Sequence, residues 1–200
     1  MLRVWLGSLS QLSQAPLPAG LRVPVSPRAG WHAGRVLLAH AISPSPLPEL
    51  VAHQNGKPAF AGKPRLWFNL SHSGDDIALA ISDEGEIGCD IEVVRPRKNW
   101  QGVAEAVFSD GERQQLTDAP EPEQLNLFWQ IWTRKEAILK QAAGQVWQMA
   151  EVDSAAPHHV VRQQLIDDRL WLAVCAEAAT DWQLQRVYLP AASADDRTSG

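Results

Sequence analysis

The sequence is poor in cysteine and has no long hydrophobic run. Its two cysteines, Cys89 and Cys175, lie in apolar segments, so we expect no disulfide framework and predict a reducing, cytoplasmic location. No stretch approaches the ~20 apolar residues that cross a bilayer. Residues 1–5 lack the basic and apolar regions of a secretion signal. Association with a membrane is therefore not expected.

Tyrosine and net positive charge are also scarce. One tyrosine contrasts with nine tryptophans, whose large rings we expect to lie in a core or to line a groove. The 18 Lys and Arg residues against 23 Asp and Glu residues give a net charge of −5, which disfavours a general nucleic-acid binder. A local basic cluster could still bind an anionic substrate, because net charge does not determine local potential.

Apolar residues are plentiful enough for a folded core. They make up 45% of the 200 residues, sufficient for one sizeable domain or two small ones packed together. Helices are predicted at 27–42, 100–108, from Ser109 as N-cap with Glu112 in a capping box, and from about 123 to 143, and strands at 66–71, 76–82, 86–94, 146–152, 159–165, 170–175 and near 182–189. A turn at 83–85 is expected to join the second and third strands as a hairpin. Both halves are predicted to be a helix followed by strands, which indicates an α+β fold.

The strand at 86–94 places two carboxylates on one face. Side chains alternate along a strand, so Asp90 and Glu92 point to the face opposite Cys89 and Ile91. Two anions so close raise each other's pKa unless a cation lies between them. An isolated D-x-E pair is more often a solvated surface, so the pair needs further support.

The long helix supplies that support. Glu136 and Lys140 are one turn apart, and alone they would be an exposed ion pair. The apolar residues that flank them predict a largely buried helix with Lys135, Glu136 and Lys140 at the edge of a cleft. Strand and helix carboxylates together would suit Mg²⁺, which takes few protein ligands and completes its shell with water and phosphate oxygens. A lysine beside such a site indicates a phosphate substrate.

Five segments resemble those of the phosphopantetheinyl transferase superfamily. G-C-D-I-E at 88–92 and W-T-R-K-E-A-I-L-K at 132–140 resemble its paired motif: G-x-D-x-E, then an aromatic residue, a small hydroxyl or thiol residue, any residue, K-E-A or K-E-S, two more residues and K. G-K-P at 56–58, N-L-S-H-S at 69–73 and F-S-D-G-E at 108–112 resemble three further segments in the family's order. The likeness is greatest to the two-lobed, Sfp- or AcpT-like type.

The resemblance implies two similar lobes, each a helix plus a small sheet, packed as a pseudo-dimer within one chain. We expect an N-terminal lobe at 1–98 with the coenzyme A-binding segments and the acidic strand. A C-terminal lobe at 99–190 would hold the K-E-x-x-x-K helix, and 191–200 would be a disordered tail. A monomer is expected, because this type builds its site within one chain.

The implied activity is transfer of the 4′-phosphopantetheine group of coenzyme A to a serine of an apo acyl carrier protein, with release of adenosine 3′,5′-bisphosphate. Asp90, Glu92 and Glu136 would hold Mg²⁺ against the coenzyme A pyrophosphate. Lys140 would contact that pyrophosphate and stabilise charge on the leaving group. The proton acceptor stays open between Glu136 and a water polarised by the metal.

The resemblance also implies residues that bind the rest of coenzyme A. Ser71 and His72 would contact the 3′-phosphate and adenosine side, and Lys57 would add a cation near the nucleotide. Arg28 and Arg35 are candidates for gripping the 3′-phosphate; Arg35 stands in R-V-L-L, which resembles the family's R-x-L-L.

The basic segment after the acidic strand is a candidate docking surface. Carrier proteins are small and acidic, so Arg95, Arg97 and Lys98 beside Trp100 could attract one. A solvated linker is the alternative interpretation. Which type of carrier protein is used stays open, although a bacterial fatty-acid-like carrier is the first one to try.

Two other functions remain as alternatives. A metal nuclease would also use acids and a lysine, but usually on adjacent strand positions, and the net charge of −5 opposes a DNA substrate. A non-catalytic module that binds coenzyme A or a carrier protein is the second alternative. Every expected metal and leaving-group position is filled, which favours the enzyme.

Overall fold

A computed structural model describes residues 1–21, 28–52, 54–62, 65–177 and 181–188. The strands are β1 (Leu2–Ser8), β2 (Leu50–Ala52), β3 (Pro58–Phe60), β4 (Trp67–Ser73), β5 (Asp76–Ser82), β6 (Gly88–Val93), β7 (Val160–Ile166), β8 (Leu170–Ala176) and β9 (Trp182–Val187). The helices are α1 (Leu9–Leu12), α2 (Ala29–Ile42), α3 (Trp100–Val107), α4 (Asp110–Asp118) and α5 (Glu121–Gln141), with 3₁₀ turns at Gln54–Gly56 and Val146–Glu151. The predicted α+β class is confirmed. The predicted tail at 191–200 and the predicted helix start at Pro27 lie outside the described residues.

The main elements pack in four layers: α2, a four-stranded sheet, a three-stranded sheet and α5. Strand alternation explains how one sheet serves two cores. In β1, Trp5 faces the core beneath α2, whereas Val4 and Leu6 face the core between the two sheets. Each sheet therefore buries both of its faces, one against a helix and one against the other sheet.

Each sheet also includes a strand from the other half of the chain. The four-stranded sheet has the order β4-β5-β1-β9, and β9 runs parallel to β1. The three-stranded sheet has the order β6-β8-β7, and β6 runs antiparallel to β8. The division into lobes at residue 98 stays a prediction, and both β6 and β9 pair across it.

The expected hairpin of the second and third predicted strands is wrong. Strand β5 pairs with β4 and β1, whereas β6 leaves that sheet and pairs with β8. Residues 83–85 form a bend between β5 and β6, but such a bend does not determine which strand becomes the partner. One face of β6 packs into the core between the two sheets, and this packing determines that β8 is the strand to which β6 bonds.

The long helix α5 is buried along much of its length. Its buried side chains include Phe128, Ile131, Ile138 and Leu139. Leu125 and Trp132 are partly buried against the aromatic cluster that contains Phe128. Trp129 is buried as well, and its indole N–H donates to the carbonyl oxygen of Arg95 at 2.9 Å. Among the tryptophans, Trp147 departs from the expectation with 74% of its surface exposed.

Lys135 does not edge a cleft as expected but is fully buried. Its ammonium lies 2.7 Å from Glu112 Oε2 and also donates to the carbonyl oxygen of Val152. Glu112 Oε1 accepts from both the backbone N–H and the hydroxyl of Ser154, at 2.8 and 2.6 Å. The pair joins α4, α5 and the segment after α5, because a buried charge needs a partner for every polar atom.

Local hydrogen bonds explain one confirmed helix start and one wrong strand. The capping box of Ser109 and Glu112 at the start of α4 is confirmed. The predicted strand at 146–152 is a 3₁₀ turn instead, in which Gln145 and Gln148 form a second capping box. Only Met149 of this turn is buried, so its apolar residues do not share one buried face as those of a strand would.

Among the helices that the structure describes, none has the length and apolar character that a membrane span requires.

Replacing Lys135 with methionine tests the buried pair. Lys135→Met leaves Glu112 charged and buried without its cation, so we expect the free energy of unfolding to fall by about 3–5 kcal/mol, measured by urea denaturation. The control is Arg162→Ala, which removes an exposed pair at 3.2 Å to Asp181 and should cost no more than ~1 kcal/mol. Equal losses in the two variants would contradict the assignment.

Candidate active site at the contact of β6 and α5

Strand β6 and helix α5 approach closely because residue 88 has no side chain. A Cβ at Gly88 would lie 1.9 Å from the carbonyl oxygen of Ala137 and 2.4 Å from the backbone nitrogen of Gln141. Both are backbone atoms, so any larger residue would push the strand and the helix apart. The glycine of the G-x-D-x-E segment is thus explained by packing, and it brings Asp90 close to Lys140.

The other edge of β6 is bonded by side chains rather than by a strand. Three alternate residues of β4 each accept a backbone N–H of β6: Asn69 Oδ1 from Cys89 at 2.8 Å, Ser71 Oγ from Ile91 at 3.3 Å and Ser73 Oγ from Val93 at 3.1 Å. Edge-strand N–H groups need acceptors, and this arrangement supplies them. The N-x-S-x-S spacing of β4 matches the repeat of side chains on one strand face.

Asp90 and Lys140 form an ion pair at the centre of the contact. Lys140 Nζ donates to Asp90 Oδ1 at 2.6 Å and to Ser71 Oγ at 3.0 Å. Ser71 Oγ in turn donates to Asp90 Oδ1 at 2.8 Å. Burial alone would lower the pKa of Lys140, but the neighbouring Asp90 carboxylate outweighs it and raises that pKa above its ordinary value. Lys140 is therefore a fixed cation at neutral pH.

Glu92 is two residues further along the same face. Its Oε2 accepts from Ser73 Oγ at 2.7 Å and lies 3.6 Å from Arg95 Nη2. Burial raises the pKa of Glu92, the Asp90 charge raises it further, and Ser73, Arg95 and Lys140 offset only part of the rise. The strand thus presents a second carboxylate that is partly neutralised by its neighbours.

Glu136, on helix α5, is the third acid, after Asp90 and Glu92 of β6. Burial raises its pKa to about 7, and the charges of Asp90 and Glu92 add to the rise while Lys140 opposes it. The charges of Asp90 and Glu92 thus act on Glu136, and the shared role of the three acids in holding a metal stays a prediction. A carboxylate of this kind exchanges protons near neutral pH and gains from any cation that enters.

The donor set fits a hard cation that shares its ligands with a substrate. Asp90 Oδ2 is buried and has no hydrogen-bond partner among the described residues, and anionic oxygens are the ligands that Mg²⁺ prefers. No ready-made group of three His, Cys, Asp or Glu ligands exists within the described ranges. An ion that takes one or two carboxylates and otherwise binds water and phosphate needs no such group.

A cleft of about 210 Å³ opens beside Lys140, between Asn69 and Leu70 of β4 and the loop that follows α5. Lys57 lines it, but its ammonium already donates to Glu86 Oε2, the Ile87 carbonyl and the Gln141 carbonyl, at 2.7, 3.0 and 3.1 Å. Its observed contacts thus tie the end of α5 to the start of β6. Its predicted contact with the nucleotide stays a prediction.

The predicted adenosine side is built from β4 and the start of α2. His72 is exposed, and a Cβ at Gly30 would lie 3.0 Å from its ring, so the helix begins directly against the histidine. Arg28 is the N-cap residue of α2. Arg35 stacks on Trp31 at 4.9 Å, and burial lowers its pKa. A helix N-terminus with a basic residue suits a phosphate, but the roles of Arg28 and Arg35 stay predictions.

The predicted docking segment is fixed by aromatic rings. Arg97 lies over Phe128, Trp129 and Trp132 at 5.2 to 5.9 Å, and Lys98 beside it is exposed. Arg95 stacks on Trp129 at 5.1 Å and also reaches Glu92. The segment therefore packs beside Glu92, and its role in docking a carrier protein stays a prediction.

The comparisons with known proteins agree with this geometry. The family model of the 4′-phosphopantetheinyl transferase superfamily matches residues 86–188. The chain belongs to this superfamily. It is 54% identical over 178 residues to the 4′-phosphopantetheinyl transferase AcpT of Escherichia coli (strain K12), covering 88% of this chain and 90% of the relative. The resemblance inferred from the motifs is confirmed.

Two further relatives show how the likeness is distributed. The 4′-phosphopantetheinyl transferase AcpT of Salmonella typhimurium is 54% identical over 179 residues, covering 88% of this chain and 92% of the relative. The 4′-phosphopantetheinyl transferase psf-1 of Bacillus pumilus is 37% identical over 112 residues, covering 54% of this chain and 47% of the relative. Likeness to the AcpT proteins therefore extends over nearly the whole chain.

Sequence reasoning missed two residues of the site. Ser73 contacts Glu92, and Asn69 bonds to β6, yet neither was singled out. Their spacing from Ser71 was available as a clue, because alternate polar residues on a strand share one face. The sequence could not show that this face of β4 lies against β6, because the two strands belong to different sheets.

Glutamine at position 136 tests the raised pKa. Because the folded-state pKa of Glu136 is about 7 against 4.5, the stability linked to its proton is complete below about 4.5 and is lost as pH rises through 7. Glu136→Gln cannot ionise, so in EDTA we expect it to be more stable than the unaltered protein, with a gain that grows from pH 5 to pH 8 to the order of 1 kcal/mol or more.

Thermal unfolding at both pH values measures this gain. Glu121→Gln, at the exposed start of the same helix, is the matched control for the loss of one negative charge. A gain for Glu136→Gln that is the same at pH 5 and pH 8 would contradict the raised pKa.

Proposed function

We propose that this chain transfers the 4′-phosphopantetheine group of coenzyme A to a serine hydroxyl of an apo acyl carrier protein and releases adenosine 3′,5′-bisphosphate. The observation that supports this most directly is the meeting of Asp90, Glu92, Glu136 and Lys140 at the β6–α5 contact in a member of the 4′-phosphopantetheinyl transferase superfamily. Three acids together with a lysine that lines a cleft suit a pyrophosphate substrate with its cation.

Mg²⁺ is the proposed cofactor, held by Asp90, Glu92 and Glu136. When bound, it would neutralise pyrophosphate charge and so reduce repulsion toward the incoming hydroxyl. Asp90 Oδ2 is buried and has no hydrogen-bond partner in the described part of the chain, which supports this choice. The raised pKa values of Glu92 and Glu136 support it as well.

Lys140 and Glu136 have distinct proposed roles in the transfer. The serine oxygen forms a bond to the β-phosphorus of coenzyme A while the bond from that phosphorus to the bridging pyrophosphate oxygen breaks. Lys140, held in place by Asp90 and Ser71, stabilises the charge that the leaving phosphate acquires. The proposed acceptor of the hydroxyl proton is either Glu136 or a water polarised by the metal, since each lies where the serine hydroxyl would react in this proposal.

The nucleotide end of coenzyme A has its own proposed binding residues. Ser71, His72, Lys57, Arg28 and Arg35 are proposed to bind the nucleotide end of coenzyme A. His72 beside the N-terminus of α2 favours a phosphate there.

Arg95, Arg97 and Lys98 are proposed to attract the acidic carrier protein. Their placement next to Glu92 would bring a docked carrier to the reacting end of the pyrophosphate. The whole site lies on one chain, so we propose a monomer. A cytoplasmic location is proposed because both cysteines are free and buried.

Intact mass spectrometry of an apo acyl carrier protein tests the activity. The carrier is incubated with this protein, coenzyme A and Mg²⁺, and we expect a gain of one phosphopantetheine that requires the carrier serine. EDTA should abolish the gain. Asp90→Ala should slow it by about 100-fold or more, because several kcal/mol of charge stabilisation are lost.

Asp181→Ala, a change at a residue whose side chain is 93% exposed, is the control and should leave the rate unchanged. No gain on fatty-acid, polyketide or peptidyl carriers, despite measurable binding of coenzyme A, would instead support a non-catalytic binding module.

Charge reversal at Lys98 tests the docking surface. Lys98 is exposed, whereas Arg97 also packs on three rings, so Lys98→Glu is the cleaner change. We expect the carrier-protein KM to rise roughly fivefold, equivalent to about 1 kcal/mol, with the coenzyme A KM unchanged. Arg162→Glu on β7 is the matched control. An unchanged carrier-protein KM would remove Lys98 from the docking surface.

A further inference from the structure

Ser73 uses every hydrogen-bonding position of its hydroxyl at the acidic site. It donates to Glu92 Oε2 at 2.7 Å, accepts from the Val93 N–H at 3.1 Å and accepts from Arg95 Nη1 at 3.2 Å. A hydroxyl has one proton to donate and two lone pairs to accept. Ser73 is buried with 5% of its surface exposed, so these bonds fix the direction in which its proton points.

Ser71 has the same three kinds of partner one step along the strand. It donates to Asp90, accepts from the Ile91 N–H and accepts from Lys140 Nζ. Each serine thus joins one site carboxylate, the backbone N–H of the next residue and one cation. The repeat arises because β4 and β6 both have a two-residue side-chain period. Two unrelated contacts would not repeat in this way.

We propose that Ser73 is a positioning residue for Glu92: its hydroxyl sets the orientation of this carboxylate for the cation that accompanies the pyrophosphate. The inference rests on the proposed function in taking Glu92 as a carboxylate of the cation site. Ser73 itself touches neither the cation nor the reacting atoms, and acts through Glu92.

Glu92 needs this partner because its other contacts do not fix it. Arg95 Nη2 is 3.6 Å from Glu92 Oε2, which is an ion pair but not a hydrogen bond. The Asp90 charge repels Glu92. Without the Ser73 hydroxyl, the glutamate side chain is free to turn away from Asp90. The loss would weaken cation binding, since outer partners of carboxylate ligands typically contribute about 10-fold or more in metal affinity.

The test uses the unaltered protein, Ser73→Ala and Ser73→Thr. The first readout is thermal stabilisation by coenzyme A as MgCl₂ is titrated, which needs no turnover. The second is the transfer rate to the carrier protein over the same MgCl₂ range. Ser82→Ala is the matched control, because Ser82 is an equally buried strand serine whose hydroxyl accepts from the Glu84 N–H at 3.1 Å.

We expect Ser73→Ala to raise the MgCl₂ concentration for half-maximal stabilisation by about 10-fold. The transfer rate should shift along the MgCl₂ axis by the same factor and recover much of its maximum at high MgCl₂. Ser73→Thr retains the hydroxyl and should restore the normal MgCl₂ dependence. Ser82→Ala should leave both curves in place, even if its melting temperature falls.

Three results would overturn the proposal. The first is a lower melting temperature of Ser73→Ala with no change in MgCl₂ dependence, which is the outcome of a purely structural role. The second is a Ser73→Thr variant that folds normally but does not restore that dependence. The third is an unaltered protein that shows no MgCl₂ dependence at all. If the shift in stabilisation is seen but no carrier is modified, the proposed transfer fails while the positioning role of Ser73 stands.

Discussion

Negative charge gathered in a partly buried space is the constraint on which this structure depends. Asp90, Glu92 and Glu136 repel one another, and burial raises the pKa of Glu136 to about 7. Every neighbouring element supplies something that offsets this repulsion: Lys140 from the same helix as Glu136, serine hydroxyls from β4 and Arg95 from the segment after β6. The negative charge that these partners leave unsatisfied supports the proposal that a cation binds here with the pyrophosphate.

Packing contacts next to the acids in the sequence keep them in position. Gly88 allows β6 to touch the backbone of α5, and the buried pair of Lys135 and Glu112 ties α5 to α4 and to the segment that follows it. Adjacent residues of α5 thus have different surroundings. Lys135 is buried in the core, whereas Glu136 is close enough to Asp90 and Lys140 for their charges to affect its pKa.

The exchange of strands between the two halves explains why the site needs the whole chain. Strand β6 pairs with β8, while its other edge is bonded by the side chains of β4 from the four-stranded sheet. The acidic strand therefore lies between the two sheets and is fixed from both sides.

Periodicity, caps and motifs are local properties of the chain, and they were sufficient to predict the α+β class, the strand face of Asp90 and Glu92, the capping box of Ser109, and the superfamily. Tertiary structure decided the partner of β6, the 3₁₀ turn at Val146–Glu151, the burial of Lys135 and the contact of Ser73 with Glu92. Each of these depends on which surfaces meet across long sequence separations. Lys135, for example, is buried against Glu112 only because α4 and α5 pack together. The motif that contains it would have the same sequence if this lysine faced solvent.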